Sequence, residues 1–390
     1  MPVIAEHDVR QAASRGARSI HIPDEAVVTP QAVEIAERLG VALRRGVAPE
    51  IPIPEINSAQ AIQRLLLKRS PRWVTPELRT SARPGRFTRL SFIGCGTVGT
   101  HSAHLAATAD MADEISLIDI VPGTAAATAL DIEHSFGITG SSTRVRGSTS
   151  LADCAEADAI IVTAGRPRSP GMTRGALHEM NGKVIRDIAE AIASHAPNAV
   201  VIVVTNPLDE MSHEMWRASG LPREQVIGMA GTLDSSRFRV ALAKAAQVPP
   251  ADVSAVALGS HGSEMVPILS TATIKGRPAA SVLSSSALEE CVSSAVNGGA
   301  SVVELRKSGS ASIAPAHSII ELLDAIRGRT VEPVPVSVLL TGQYGIEDVF
   351  LGVRAQLAFE GVRNIVVDPV SEAELAELRK AAEAIRSRVH

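Results

Sequence analysis

Three short segments of this chain carry side chains that could together move a proton and hold an anion. Gly259-Ser260-His261-Gly262 sets a histidine between glycines, directly after the apolar run Val256–Leu258. Leu233-Asp234-Ser235-Ser236-Arg237-Phe238-Arg239 offers a carboxylate and, one helical turn on, a guanidinium. Arg166-Pro167-Arg168-Ser169-Pro170-Gly171-Met172-Thr173-Arg174 is a loop holding two prolines, a glycine and three arginines. Hydride transfer to a carbonyl needs a proton donor, a group that polarises the C=O, and anchors for the substrate's charges. His261, Arg174 and Arg237 could fill those roles, with Asp234 orienting the imidazole and favouring its protonated form. A planar guanidinium matches a carboxylate fork, so either arginine could serve as such an anchor. Each residue alone also has a plainer reading, because a single His or Arg is more often a surface or structural group.

A fourth segment supplies a place for a nucleotide. Gly94-Cys95-Gly96-Thr97-Val98-Gly99 follows a predicted strand and opens a predicted helix. Glycines there permit a tight turn and let the backbone approach a pyrophosphate, whose charge meets the helix N-terminus. Alone, the pattern is also that of any glycine-rich strand–helix turn. Asp119 ends the next predicted strand, 20 residues beyond Gly99, where a carboxylate binds both ribose hydroxyls and repels a 2′-phosphate. The pair points to a dinucleotide cofactor, NAD in preference to NADP.

The elements that must hold these residues are legible from periodicity. From Arg89 onward apolar strands alternate with helices, the pattern of a parallel sheet with helices on its faces. Strands are predicted over Leu90–Gly94, Ile115–Asp119, Ala159–Ala164 and Val200–Thr205, each apolar enough to be buried on both faces. A helix near the C-terminus is predicted with a Ser371/Glu374 capping box and a stripe of Leu375, Leu378, Ala382 and Ile385 that packs on the body. Met211, Met215 and Trp216 read as helix packing. The first 45 or so residues read as a small α/β unit. In it Val9, Ala12 and Ala13 line a helix ending at Gly16, and Ser19–Ile22 alternates as a strand. Thr29-Pro30 starts a second helix that Gly40 stops, and Val41–Leu43 is another strand. Pro49, Pro52, Pro54, Pro71, Pro76 and Pro84 mark linkers around an amphipathic helix at about Ser58–Arg69, with Ile62, Leu65 and Leu66 on one face. The expected division is a small unit at 1–47, a proline-rich linker at 48–85, a Rossmann domain at 86–231 and a mixed α/β catalytic domain at 232–390.

Composition narrows the class. The chain has 390 residues, 45% of them hydrophobic and 21% charged, enough for two or three domains. A formal charge of −4 argues against a nucleic-acid binder, and no uncharged apolar run approaches a membrane span. Cys95, Cys154 and Cys291 are scattered without metal-ligand spacing, as are His101, His104, His134, His178, His195 and His213. The expectation is a cytoplasmic protein without a metal.

From Arg89 to the C-terminus the chain resembles the NAD-dependent lactate/malate dehydrogenase family, most of all its bacterial malate dehydrogenases. The resemblance rests on GCGTVG, LIDI, AGRPRSPGMTR, VTNP, GMAGTLDSSRFR, GSHGSEMVP, KSGSA and LTGQYGIEDVFLGV, in that order. It implies that His261 is the acid/base and Asp234 its partner, that Arg174 polarises the ketone, and that Arg237 clamps the C1 carboxylate. It places Asn206 against substrate and cofactor, and Asn181, Val204 and Thr205 beside the nicotinamide. Malate-specific members carry Arg at the position of Arg168, to pair a second carboxylate, where lactate-specific members carry Gln. The implied reaction is reversible oxidation of malate to oxaloacetate with NAD, by a homodimer or homotetramer. The alternatives are the same chemistry on lactate or another 2-hydroxy acid, or a non-catalytic cargo or assembly protein that kept the fold. The chain departs from the family pattern in having Ser263-Glu264 for Asp-Thr, Ser312-Ile313 where two aromatics are usual, and Arg166 at an apolar loop position.

The opening segment, IAEHDVRQAASRGA…VVTPQAVEIAERLGVAL, resembles ethanolamine-utilisation microcompartment proteins of the cupin-like kind. With the Ser58–Arg69 helix it implies a microcompartment shell or cargo partner through residues 1–85. The plainer alternative is a helix that docks on its own enzyme or a sister subunit.

Overall fold

The computed structural model describes residues 3–14, 19–46, 85–166, 174–307 and 309–389, in two separate units. The first unit strings together β1 (Val3–Ile4), α1 (Glu6–Ser14), β2 (Ser19–Ile22), β3 (Val27–Val28), α2 (Pro30–Leu39) and β4 (Ala42–Arg45). Thr29 caps α2 by accepting the Ala32 N–H at 3.2 Å, and Gly40 ends it in the left-handed region at φ 66°. Val9, Ala32, Ile35, Ala36 and Val41 are its core. The two strands read from the sequence, β2 and β4, pair in parallel, and the second starts one residue later than expected because Val41 turns into the core. The parallel β1–β3 pair was not legible, since two-residue strands are too short to show alternation. The predicted Ser58–Arg69 helix lies outside the described residues.

The second unit begins with β5 (Phe87–Ile93), α3 (Thr97–Thr108), β6 (Ala112–Ile118), α4 (Thr124–Thr139), β7 (Arg144–Ser148) and β8 (Ala159–Val162). It continues through α5 (Arg174–His195), β9 (Val200–Val203), α6 (Leu208–Ser219), β10 (Val226–Gly228) and α7 (Gly231–Ala246). The remainder is β11 (Val253–Gly259), β12 (Met265–Ile274), β13 (Arg277–Pro278), α8 (Ser285–Arg306), α9 (Ile313–Ile326), β14 (Val334–Thr341), β15 (Glu347–Ala358), β16 (Gly361–Val366) and α10 (Glu372–Val389). Six parallel strands lie in the order β7-β6-β5-β8-β9-β10. That is the doubly wound dinucleotide-binding order, reversing between β5 and β8, where such sheets open a ligand crevice. The four predicted parallel strands are all present. Their side chains alternate between two cores: Leu90, Phe92, Ile115 and Ile161 on one face with α3, α4 and α9, and Ile93, Ile160, Val162 and Val201 on the other with α5 and α6. Met211 and Met215 are fully buried in the second of these, as the sequence indicated.

The sheet does not end at β10. β14 adds antiparallel through Gly228 and Ser337, and β15, β11, β12 and β13 extend it to twelve strands with β16 on the flank of β15. Phe238, Leu242, Leu288, Cys291 and Ala295 form a third core where α7 and α8 pack near β11 and β12. The capping box on α10 forms as predicted: the Ser371 N–H donates to Glu374 at 2.8 Å and the Glu374 N–H to Ser371 at 3.3 Å. Glu374 reaches further, accepting the Leu269 and Ser270 N–H groups at 2.8 and 3.0 Å, so the same carboxylate pins α10 to β12. Leu378, Ala382 and Ile385 are buried against the body. Among the described residues no helix is long and apolar enough to cross a membrane.

Candidate active site

The glycines after β5 divide into two kinds. A Cβ on Gly94, at φ 102°, would lie 2.6 Å from the Ala164 backbone N, and one on Gly99 would lie 2.0 Å from the Gly94 carbonyl O. Both are demanded by the close approach of β5, α3 and the chain leaving β8. Gly96 is different: φ is −70° and a Cβ there would meet nothing within 4 Å. Among the described residues nothing requires a glycine at that point, and its bare backbone stands at the N-terminus of α3, which no side chain caps. That is the cradle a pyrophosphate needs. Thr97 and Val98 are the first residues of α3. Asp119 stands at the end of β6 and accepts the Cys95 N–H at 2.8 Å and the Val121 N–H at 2.9 Å, tying the end of β6 to the glycine loop. Burial, reinforced by Asp119, pushes the Cys95 thiol up to about 12, so this cysteine is an inert space-filler.

At the mouth of β8 and β9 a buried asparagine organises the chain. Asn181 accepts the Arg166 N–H at 2.9 Å and donates to the carbonyls of Arg166 and Asn206 at 3.2 and 2.7 Å. Thr205 donates to the Ala164 carbonyl at 2.7 Å, and Val204 packs beside it on the core. Asn181 therefore holds two loops together through its amide, and the Asn206 side chain is left exposed beyond a cis bond to Pro207. Arg166 takes part through its backbone. Arg168 lies outside the described residues. Arg174 opens α5, and its side chain lies outside what is described.

Around His261 the groups converge. Asp234, on the first turn of α7 and 3% exposed, has one oxygen 2.7 Å from His261 Nδ1 and the other 3.1 Å from an Arg237 terminal nitrogen. Burial opposes charge on His261, but the Asp234 carboxylate and its hydrogen bond, with Asp209 beyond, outweigh burial and the Arg237 charge and hold the imidazole above its ordinary pKa. Arg237 lies along α8 where two glycines interrupt the helix. A Cβ on Gly298 would sit 3.2 Å from Arg237 Cδ, and one on Gly299 3.4 Å from a terminal nitrogen. The pair is a shallow notch for the guanidinium.

Sequence reasoning missed several neighbours. Asp209, 1% exposed at the start of α6, accepts the His261 backbone N–H at 2.9 Å and the Ser337 hydroxyl at 2.7 Å. Burial, with Glu210 beside it, raises its carboxyl to about 6 despite those two hydrogen bonds. Ser337 had a signal, as a polar residue inside the apolar strand VPVSVLLT. The Glu264 departure is explained by a partner: its carboxylate meets Arg388 of α10 at 3.3 Å. Ile313, in the Ser312-Ile313 departure, is exposed at the start of α9.

The nucleotide cradle and the His261 centre define a class. Residues 88–228 match the profile of the lactate/malate dehydrogenase NAD binding domain, and residues 231–390 that of the family's alpha/beta C-terminal domain. The chain belongs to the lactate/malate dehydrogenase family and is an NAD-dependent dehydrogenase. Among its relatives, a malate dehydrogenase of Pelodictyon phaeoclathratiforme is 40% identical over 294 residues, covering 75% of this chain and 95% of the relative. A malate dehydrogenase of Nostoc punctiforme is 38% identical over 301 residues, 77% of this chain and 92% of the relative. Of solved structures, the malate dehydrogenase of Cryptosporidium parvum superposes with a TM-score of 0.75 at 36% identity, over 77% of this chain and 98% of that one. The lactate dehydrogenase of the same organism, complexed with lactic acid and nicotinamide adenine dinucleotide, gives the same TM-score of 0.75 at 32% identity, over 78% and 97%. The fold therefore does not choose between the two substrates.

Proposed function

We propose that this chain is an NAD-dependent malate dehydrogenase that interconverts malate and oxaloacetate. The observation that carries the chemistry is the single carboxylate of Asp234 placed between His261 and Arg237. It fixes a proton-bearing imidazole and a carboxylate-binding guanidinium side by side. His261 protonates the ketone oxygen during reduction and takes the proton back during oxidation. Arg237 forks the substrate C1 carboxylate, held at its height by the notch at Gly298 and Gly299. Asn206 touches the substrate from the end of β9, and Val204, Thr205 and Asn181 line the nicotinamide side. Arg174 polarises the carbonyl. The residues of the cradle hold NAD, which when bound gives or takes the hydride. Arg168 pairs the second carboxylate, which makes the preferred substrate a dicarboxylate. NADH oxidation with oxaloacetate, pyruvate and other 2-oxo acids tests the reading, and a wild type that prefers pyruvate overturns it.

Asp119 is the cofactor discriminator in this reading. Its carboxylate is set beside the loop that meets the pyrophosphate and would repel a 2′-phosphate. The wild type is expected to favour NAD strongly, and Asp119→Ser to narrow the ratio mainly by improving kcat/KM for NADP. Equal wild-type turnover with both cofactors would show that Asp119 does not face the ribose.

The N-terminal unit serves location rather than chemistry, with an assembly such as a bacterial microcompartment as its destination. It has its own core of Val9, Ala32, Ile35, Ala36 and Val41 and contributes no residue to the catalytic set. The enzyme body is a homodimer or homotetramer in this reading. A truncation must spare Gly85, whose carbonyl accepts from Arg327, and the buried Arg86. A chain lacking residues 1–84 is expected to keep its turnover and its two- or four-copy mass by light scattering, and to lose co-localisation in cells. Loss of folding or assembly would end the targeting idea.

A further inference from the structure

The turn that carries His261 runs from the end of β11 to the start of β12, with glycines at φ 85° (Gly259) and 159° (Gly262). Glycine backbones of this kind have many conformations open to them, so something else must fix the turn. Within itself the turn closes through Ser260 N–H to the Glu264 carbonyl at 3.4 Å and Met265 N–H to the Gly262 carbonyl at 3.2 Å, and side chains from other elements fasten it at two further points outside the proton-transfer set. At its start Asp209 accepts the His261 backbone N–H at 2.9 Å. At its end Glu264 meets Arg388 at 3.3 Å, and the same guanidinium binds Glu210 at 2.5 Å. Asp209 and Glu210 are consecutive residues at the start of α6, so both fastenings return to one helical turn. Glu210 is only 3% exposed, so its carboxylate lies largely out of reach of solvent. Arg388 is its partner, and it has a second hand for the catalytic turn.

We propose that Arg388 of α10 is a positioning residue for the reaction: by bridging Glu210 and Glu264 it holds the 260–264 turn so that the His261 ring stays seated on Asp234. The inference rests on His261 being the acid–base group. It also gives the Ser263-Glu264 pair a purpose, since an uncharged side chain at position 264 could accept a hydrogen bond from Arg388 but not form the ion pair. Because a misplacement of about 1 Å can cost roughly a hundredfold in rate, a fastening outside the substrate's reach can set catalytic efficiency. The groups facing His261 are Asp234 and Arg237 from α7 and Asp209 from α6, all of which a relaxed turn would leave.

The test compares full-length wild type with Arg388→Met, Arg388→Lys, Glu264→Gln and His261→Gln, reading kcat and KM for 2-oxo acid reduction across pH, and thermal midpoints. Arg388→Met is expected to lose about ten- to a hundredfold in kcat with KM changed less than about threefold. Its alkaline limb should move to lower pH as the imidazole loses Asp234. Arg388→Lys should recover a large part of both, and Glu264→Gln should show the same shift to a smaller degree. An Arg388→Met enzyme with a lowered thermal midpoint but wild-type kcat and pH profile overturns the proposal, because Arg388 would then merely tie down α10. If that variant fails to fold, the decision passes to Glu264→Gln, and an unchanged profile there overturns it as well. Full activity in His261→Gln would instead sink the underlying assignment of the acid.

Discussion

Replacing Asp234 by asparagine is expected to cost roughly two to four orders of magnitude in kcat, the scale on which positioned acid–base catalysis operates. The substitution keeps the shape of the site and an oxygen for Arg237, but removes the charge that stabilises the imidazolium of His261. In the intact protein burial works against that charge, and Asp234 is the first of the groups that overcome it. Without the carboxylate, burial wins and the imidazole pKa falls. The acid form needed for ketone reduction is then lost at lower pH, so the alkaline limb of kcat/KM for reduction moves acidward. A steady-state pH series on the variant checks both effects. Wild-type turnover with an unmoved limb would show that the 2.7 Å contact has no part in proton transfer.

The second large effect is on substrate choice. Arg168→Gln is expected to reduce kcat/KM for oxaloacetate and to raise it for pyruvate, with a relative change worth ~2–5 kcal/mol. If Arg168 pairs the distal carboxylate as proposed, a methyl group in that place would leave its charge without a partner. Glutamine removes the penalty and the dicarboxylate anchor together. The informative reading is the ratio of the two specificity constants, since a general defect lowers both. A ratio left within about threefold of the wild type would locate the distal carboxylate's partner elsewhere.

What could be read in advance follows from how local each signal is. Gly94, Gly99 and the predicted strand ahead of them form one continuous segment, and a turn made by neighbours in sequence announces itself there. The Asp234 and Arg237 pair is likewise one helical turn. His261 reaches Asp234 over 27 residues, which no spacing rule supplies. It was named from chemistry and resemblance, and its distance came from the fold. Asp209 with Ser337 and Arg388 with Glu210 are separated by 128 and 178 residues. They meet because β14 pairs with β10 through Gly228 and Ser337, and because α10 packs back on the body. Strand register and helix docking belong to the assembled sheet, so no spacing in the chain marks these pairs. The traces they leave are polar residues in apolar surroundings: Ser337 inside VPVSVLLT, and Asp209 and Glu210 a few residues after the apolar strand β9.

Two glycines in the middle of a 22-residue helix are, by the ordinary rules of helix stability, an error of about 1 kcal/mol each. Anyone hardening this enzyme against heat would choose Gly298 and Gly299 first for replacement by alanine. The helix would gain, but a methyl group at Gly298 would crowd Arg237 at 3.2 Å and one at Gly299 would touch it at 3.4 Å, against the side chain proposed to clamp the substrate. In the proposed reading α8 gives up helix stability to leave room for the Arg237 side chain. Heat-resistant variants of this chain will have to find their stability away from that helix.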